Sequence, residues 1–367
     1  MKNFNLPKDH RPYIDKYFLR AKKILEKDEL NPMVKVQVFI RQGDCKVYGI
    51  DEAVAILCKY SDIQKTGHIY ALKEGSLFAP GEIAMLIEAP IQSIIDLETM
   101  YLGVLSAETT LKNGGKDIDT GKINQKMDQI VELSGKRPVS YFGARHWRFD
   151  RDLDIAVACC TGGATNCSTD EGAKAWGKDC KGIGTIPHAL EAIYHWQDGL
   201  ENTVYAATHA FEKHMHPSIP RIALVDYANR EILDSLDIAP IVNGIRIDTC
   251  GENYMQGVIG ASHWSGEAWF RGKGVSLNGV YLIKKLLNDS GYKDVKIILS
   301  SGFGNPDKVR AFIDAEKGLK TKLFDSLGIG GVFESRMATA DIISVGGEEI
   351  HKVGRGPKPV NRLRKVF

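Results

Sequence analysis

Seven short apolar runs between residues 138 and 333 each break off into a loop of small and polar residues. They are 138–145 (PVSYFGAR), 155–166 (IAVACCTGGATN), the approach to Gly184-Thr185-Ile186-Pro187-His188, 221–227 (RIALVDY), 243–253 (NGIRIDTCGEN), 295–305 (VKIILSSGFGN) and 324–333 (FDSLGIGGVF). Amphipathic stretches such as 278–292 and 305–318 lie between them, so the period switches repeatedly between buried strand and helix. Repeated βα units of this kind close into an α/β barrel or stack as an open parallel sheet. In either arrangement their polar residues gather at the carboxyl ends of the strands.

The first third is patterned differently. Tyr13, Ile14, Tyr17, Phe18, Ala21, Ile24 and Leu25 recur at helical spacing within residues 1–30. An extended MVKVQVFIRQ, a helix DEAVAILCKY and a strand-rich 68–89 follow, without βα repetition. The most apolar region, 83–105, is cut by Glu88, Gln92, Asp96 and Glu98, so it reads as a strand, a turn at Pro90 and a core helix rather than a bilayer span. Residues 112–122 form the most Gly- and Asp-rich linker, and 340–355 alternates like a hairpin around Gly346-Gly347 that would rejoin the first region. The expected organisation is a split α+β domain, 1–118 plus 336–367, set against an irregular α/β barrel over 119–335.

Composition narrows the function classes. A formal net charge of +2 over 367 residues gives no general field for nucleic acid, so any anion site must be local. The amino terminus lacks the apolar core of a signal peptide, and the expectation is a soluble, cytoplasmic protein that engages neither membrane nor nucleic acid. Seven scattered cysteines with no CxxC pair argue against a disulfide scaffold and a structural zinc site. His209, His214 and His216 read as a helix end and surface loop rather than a chelate.

The strand-end residues carry the candidate chemistry. Gly328, Gly330 and Gly331, together with Ser300, Ser301, Gly302 and Gly304, let backbone N–H groups approach a phosphate without side-chain obstruction. Arg145 and Arg246 end two of the apolar runs, where desolvation is costly unless a ligand anion or an internal carboxylate such as Asp248 or Asp150 answers the charge. Asp226 and Asp248 could orient a histidine, hold Mg2+ or bind ribose hydroxyls, or merely cap helices. His188, after a Pro at a helix start, suits a general base or a nucleophile for a phosphoryl group. Phe142 and Tyr17 are candidate stacking partners. Together these residues describe a site for a multiply phosphorylated sugar beside a small planar or anionic molecule.

In order and spacing, EGSLFAPGEIAMLIEAPIQSIIDLETMYLGVL, YFGARHW, GIGTIPHAL, ALVDY, IRIDTCGEN, LSSGFGN and FDSLGIGG resemble the nicotinate phosphoribosyltransferases, and the opening DKYFLRAKKILEK resembles their archaeal-type branch. The resemblance implies a type II phosphoribosyltransferase-like barrel and condensation of nicotinate with phosphoribosyl pyrophosphate. It further implies ATP as co-substrate, Mg2+, and homodimers or assemblies of dimers. By motif, His188 matches the histidine that ATP phosphorylates and Asp226 the acid that steadies it. Arg145 and Arg246 match the pair for the pyridine carboxylate and phosphates, and Thr185 joins the substrate-binding residues. Phe142 matches the aromatic beneath the pyridine, Tyr17 a residue offered by the neighbouring subunit, and Asp248 the carboxylate near ribose and Mg2+. Ser301, Gly302, Gly328, Gly330 and Gly331 fall where the ribose 5-phosphate is cradled.

Departures are Asp248-Thr249-Cys250-Gly251-Glu252 in place of an Asp-Ser-Gly-Asp type of loop, an RKVF tail without a Cys-rich knuckle, and 261–276 without a counterpart. Nicotinamide-specific relatives carry an acid directly after the Gly-Thr, where this chain has Ile186. The alternatives are a nicotinamide- or quinolinate-using relative and a non-catalytic, regulatory binder of a phosphoribosyl ligand. An aldolase-like barrel is disfavoured because Lys296 stands at the wrong end of its strand for a Schiff base.

Overall fold

The computed structural model describes residues 3–258 and 269–367. Among them are thirteen strands: β1 (Met33–Ile40), β2 (Cys45–Lys46), β3 (His68–Ala71), β4 (Leu77–Phe78), β5 (Met85–Pro90), β6 (Val139–Tyr141), β7 (Asn166–Cys167), β8 (Ile222–Leu224), β9 (Gly244–Ile247), β10 (Lys296–Leu299), β11 (Ser326–Ile329), β12 (Ala338–Val345) and β13 (Arg364–Lys365). They form two main sheets of opposite character.

The parallel sheet runs β7-β6-β11-β10-β9-β8. Its strands are short and buried on both faces, as the Val, Ile and Leu runs demand; β6 and β9 have no exposed residue. The sheet curls into a half-barrel, the irregular form of the α/β barrel expected from the βα series. Because every pairing in it is parallel, all six carboxyl ends lie on one edge.

The antiparallel sheet runs β12-β1-β5-β3-β13 and so draws on both ends of the chain. β1 pairs with β5 on one side and with β12 on the other, and β5 is the central strand. The 83–105 region is the strand β5, then Pro90, then the core helix Glu98–Lys112. The amino-terminal helix covers Lys16–Lys27 and buries Tyr17, Phe18, Ala21, Ile24 and Leu25; Tyr13 and Ile14 precede it. No helix among the described residues is long and apolar enough to cross a membrane.

Three expectations change. Residues 155–161 are not a strand but most of the helix Asp152–Thr161. Small, apolar residues at that length do not separate the two periods, and Asp152 and Asp154 in the first turn favour a helix start. The approach to Gly184 is an extended loop without strand pairing. The hairpin at Gly346-Gly347 turns as expected, with both glycines at positive φ, but its return arm contributes only a bridge between Val345 and Glu348. The chain then crosses to the parallel sheet, where the Val353 N–H donates to the Tyr227 carbonyl at 3.1 Å. Trp264, in the stretch without a counterpart, lies outside the described residues; Trp269, Arg271 and Lys273 lie within them.

Candidate active site

A cavity of about 700 Å3 opens over the carboxyl edge of the parallel sheet. A recess of about 90 Å3 adjoins it, and the two share Tyr17, Arg145, His188, Arg246, Asp248 and Lys352 in their walls. The parallel order explains the gathering. β6 leads to Phe142 and Arg145, β9 to Asp248, β10 to Ser301 and Gly302, and β11 to Gly330 and Gly331, all leaving from one edge.

His188 begins the helix His188–Asp198, behind Pro187 in extended conformation. Its Nε2 lies 3.1 Å from Asp226 Oδ1. The buried Asp226 also accepts a hydrogen bond from Lys352 Nζ through Oδ2. Burial alone would raise the Asp226 pKa, but Lys352 and His188 overcome it and hold the carboxyl well below the usual range. An ionised acceptor requires that Nε2 carry the proton, which leaves Nδ1 as the free nitrogen. Burial, with Lys352 adding to it and Asp226 opposing, lowers the His188 pKa, so the imidazole stays neutral at physiological pH.

The arginines differ more than their sequence positions suggest. Arg246 lies inside β9, 6 % exposed, with Asp248 Oδ2 3.6 Å from one terminal nitrogen and a buried Nε that has no hydrogen-bond partner. Arg145 lies beyond its strand in the turn Ala144–His146, and pairs with Asp15 at 3.3 Å and with Glu98 at 2.9 Å. Burial pushes the Glu98 carboxyl up to about 7, with Arg145 pulling it down. Both guanidinium groups face the Tyr17 ring, at 5.6 and 6.0 Å from its centroid. Tyr17 therefore lines the cavity of its own chain.

Asp248 accepts a hydrogen bond from Ser300 Oγ at 2.7 Å. In the loop that departs from the family pattern, Cys250 and Gly251 join the cavity wall while Glu252 pairs with Arg41 and Arg355. Thr185 is buried and is not among the residues lining the cavity; neighbouring Gly184 abuts the Tyr17 backbone so closely that a Cβ there would stand 2.6 Å from its nitrogen. Gly328 sits inside β11 rather than in a loop, and an added Cβ would lie 2.5 Å from the Phe142 ring. Its smallness makes room for that ring. Gly330 is held by His146, whose Nδ1 lies 3.0 Å from the Gly330 carbonyl, whereas a Cβ on Gly331 would meet only Gly304 Cα at 4.0 Å.

Those contacts separate two outcomes. Gly331→Ala is expected to leave the melting temperature unchanged and, if a phosphate occupies the open space beside it, to raise the KM for the phosphorylated substrate. Gly328→Ala is expected instead to push Phe142 out of place and, if a planar substrate stacks on that ring, to raise its KM. Steady-state kinetics with each substrate varied in turn checks both, and identical defects in the two variants would contradict this division.

Lys352, Glu98, Asp15, Arg41 and Arg355 belong to the site and were not singled out by the sequence. Lys352 and Arg355 sit in the segment that reads as a hairpin arm, and Glu98 and Asp15 look like ordinary polar positions near helix starts. Only the crossing of the carboxyl-terminal segment to the parallel sheet brings the first pair into the cavity wall.

This arrangement is the fold of the type II phosphoribosyltransferases. A candidate nicotinate phosphoribosyltransferase from Saccharomyces cerevisiae superposes at TM-score 0.69, with 14 % identity over 96 % of this chain and 94 % of that one. The nicotinate phosphoribosyltransferase of Vibrio cholerae gives 0.64, with 14 % identity over 93 % and 87 %, and that of Porphyromonas gingivalis 0.63, with 13 % identity over 93 % and 92 %. Residues 15–108 match the family described as quinolinate phosphoribosyl transferase, N-terminal domain. No curated protein sequence matches the chain.

Proposed function

We propose that the chain is a type II phosphoribosyltransferase that joins nicotinate to phosphoribosyl pyrophosphate, releasing nicotinate mononucleotide and pyrophosphate, with ATP hydrolysis coupled through His188. The observation that carries the reading is the tethered imidazole. With Nε2 held by Asp226, the free Nδ1 of a neutral ring can attack the γ-phosphorus of ATP as the bond to ADP breaks. Arg246, with its unpartnered Nε, supplies a donor for substrate anion, and the Tyr17 and Phe142 rings suit a flat pyridine. The loops at Ser301-Gly302 and Gly330-Gly331 receive the ribose 5-phosphate. Transfer passes through a cationic sugar carbon, so the protein contributes mainly alignment and charge complementarity.

Asp248 faces the cavity and suits a Mg2+ that takes its remaining oxygens from water and substrate phosphates. Among the described residues no three His, Cys, Asp or Glu side chains group to hold a metal by themselves. The cytoplasmic location and dimeric assembly implied by the resemblance belong to this same proposal.

A quinolinate-using enzyme is the second reading, favoured by the family match over residues 15–108. Quinolinate carries two carboxylates and asks for two uncommitted cations. Arg145 already answers Asp15 and Glu98, which favours the monocarboxylate. Product chromatography with nicotinate, nicotinamide and quinolinate, each with and without ATP, tests the assignment. Nicotinate mononucleotide formed faster with ATP is the expected result; preferential turnover of quinolinate or nicotinamide would replace it.

A further inference from the structure

The loop after β10 adopts a backbone that side chains rarely take. Ser301 has a φ of 65° and Gly302 one of 85°. For serine this left-handed conformation is unfavourable and persists only where the surroundings hold it. Lys308 does the holding. It stands in the first turn of the helix Pro306–Leu319, 5 % exposed, and folds back so that Nζ donates to the Ser301 carbonyl at 3.0 Å. The same nitrogen lies 4.5 Å from the centre of the Phe303 ring, and a Cβ on Gly302 would stand 3.3 Å from it. The loop, from Ser300 to Pro306, lines the large cavity while Lys308 stands behind it.

We infer that Lys308 is a positioning residue for the phosphate end of the cavity, fixing the Ser301-Gly302 turn from behind and placing a positive charge directly beneath it. The inference rests on the phosphoribosyl reading of the site. A buried ammonium is costly without a compensating anion, and a phosphate across the loop would supply one. Burial pushes the amine down to about 8, with the Asp248 charge pulling it up. The sign follows: the charge is present below that range and is lost as pH rises through it, so phosphate affinity declines on the alkaline side.

Calorimetric titration of ribose 5-phosphate into the wild-type protein, Lys308→Met and Lys308→Gln, at about pH 7 and about pH 9, tests this on both sides of the amine's titration. Lys308→Met is expected to bind about 10- to 100-fold more weakly at the lower pH, the range of one charge-assisted contact, and to lose the alkaline decline. In turnover the KM for phosphoribosyl pyrophosphate should rise while kcat and the KM for nicotinate hold. Lys308→Gln keeps a donor for the Ser301 carbonyl without the charge; it should recover the melting temperature of the wild type but not its affinity. A folded Lys308→Gln that binds ribose 5-phosphate like the wild type at both pH values overturns the inference alone. A wild-type protein that binds none at either pH overturns the phosphoribosyl reading, and this inference with it.

Discussion

His188→Ala is expected to abolish ATP hydrolysis and all stimulation by ATP while leaving a slow, ATP-independent transfer. The reason is the division of labour in the cavity. The imidazole stands at the end where Asp226 and Lys352 meet, whereas the Ser301-Gly302 and Gly330-Gly331 loops and Arg246 belong to other strands and make no hydrogen bond to it. Removing a ring that is one-third exposed should cost little stability, and Asp226 keeps its lysine, so a folded variant is expected. Wild-type protein incubated with γ-labelled ATP should carry acid-labile, base-stable label on the peptide containing His188. Label on another histidine, or ATP stimulation that survives His188→Ala, would remove the imidazole from the mechanism. In the proposed mechanism the neutral form is the nucleophile, so labelling should persist as pH falls to the usual histidine range and fail only below it, since the His188 pKa is lowered by burial and by Lys352.

Lys352→Met should have the largest effect on stability. Breaking a buried ion pair by removing one partner typically costs about 3–5 kcal/mol, because the remaining charge keeps its desolvation penalty. Here His188 can partly compensate by taking up a proton beside Asp226. Removing the lysine takes away one of the two causes that lower its pKa and leaves Asp226 raising it, so the pKa stands higher than in the wild type and proton uptake offsets the lost lysine more at acid pH than at neutral. The melting-temperature gap to the wild type should therefore widen from acid to neutral pH, and the acid limit of ATP-dependent activity should move upward. Thermal unfolding across pH checks the first and a pH–rate profile the second. A gap that stays constant with an unmoved acid limit would show that Lys352 does not set the protonation of His188.

How much was legible in advance follows from which contacts are local. β6, β8, β9, β10 and β11 fall within apolar runs that end in turns, and a parallel sheet forces their following residues to one edge, so Asp226, Asp248 and the two Gly-containing loops could be grouped without knowing the pairing order, whereas His188 follows an unpaired loop and Arg246 lies inside β9. The pairing of Asp226 with His188 came from the resemblance, because position at a strand end left Asp226 and Asp248 equally able to orient a histidine. Helix Asp152–Thr161 was not legible as a helix, because a short run of Ile, Ala, Val and Cys satisfies either period. Gly328 looked like a loop glycine; its service to the Phe142 ring depends on the pairing of β11 with β6. Lys308 and Lys352 are two among many lysines, and nothing local marks a lysine whose partner is an inward-facing carbonyl or a carboxylate 126 positions away.

That last separation bears on how the protein is made. Asp226 and His188 emerge from the ribosome long before Lys352, so a growing chain holds a carboxylate and an imidazole at the heart of the site with no lysine to balance them. Release of the carboxyl-terminal segment then both adds the outer strands β12 and β13 and delivers the cation. Copies cut short before residue 352 would thus lack the charge that sets the histidine even if the parallel sheet were intact, and the competence of the imidazole would register whether translation had run past that point.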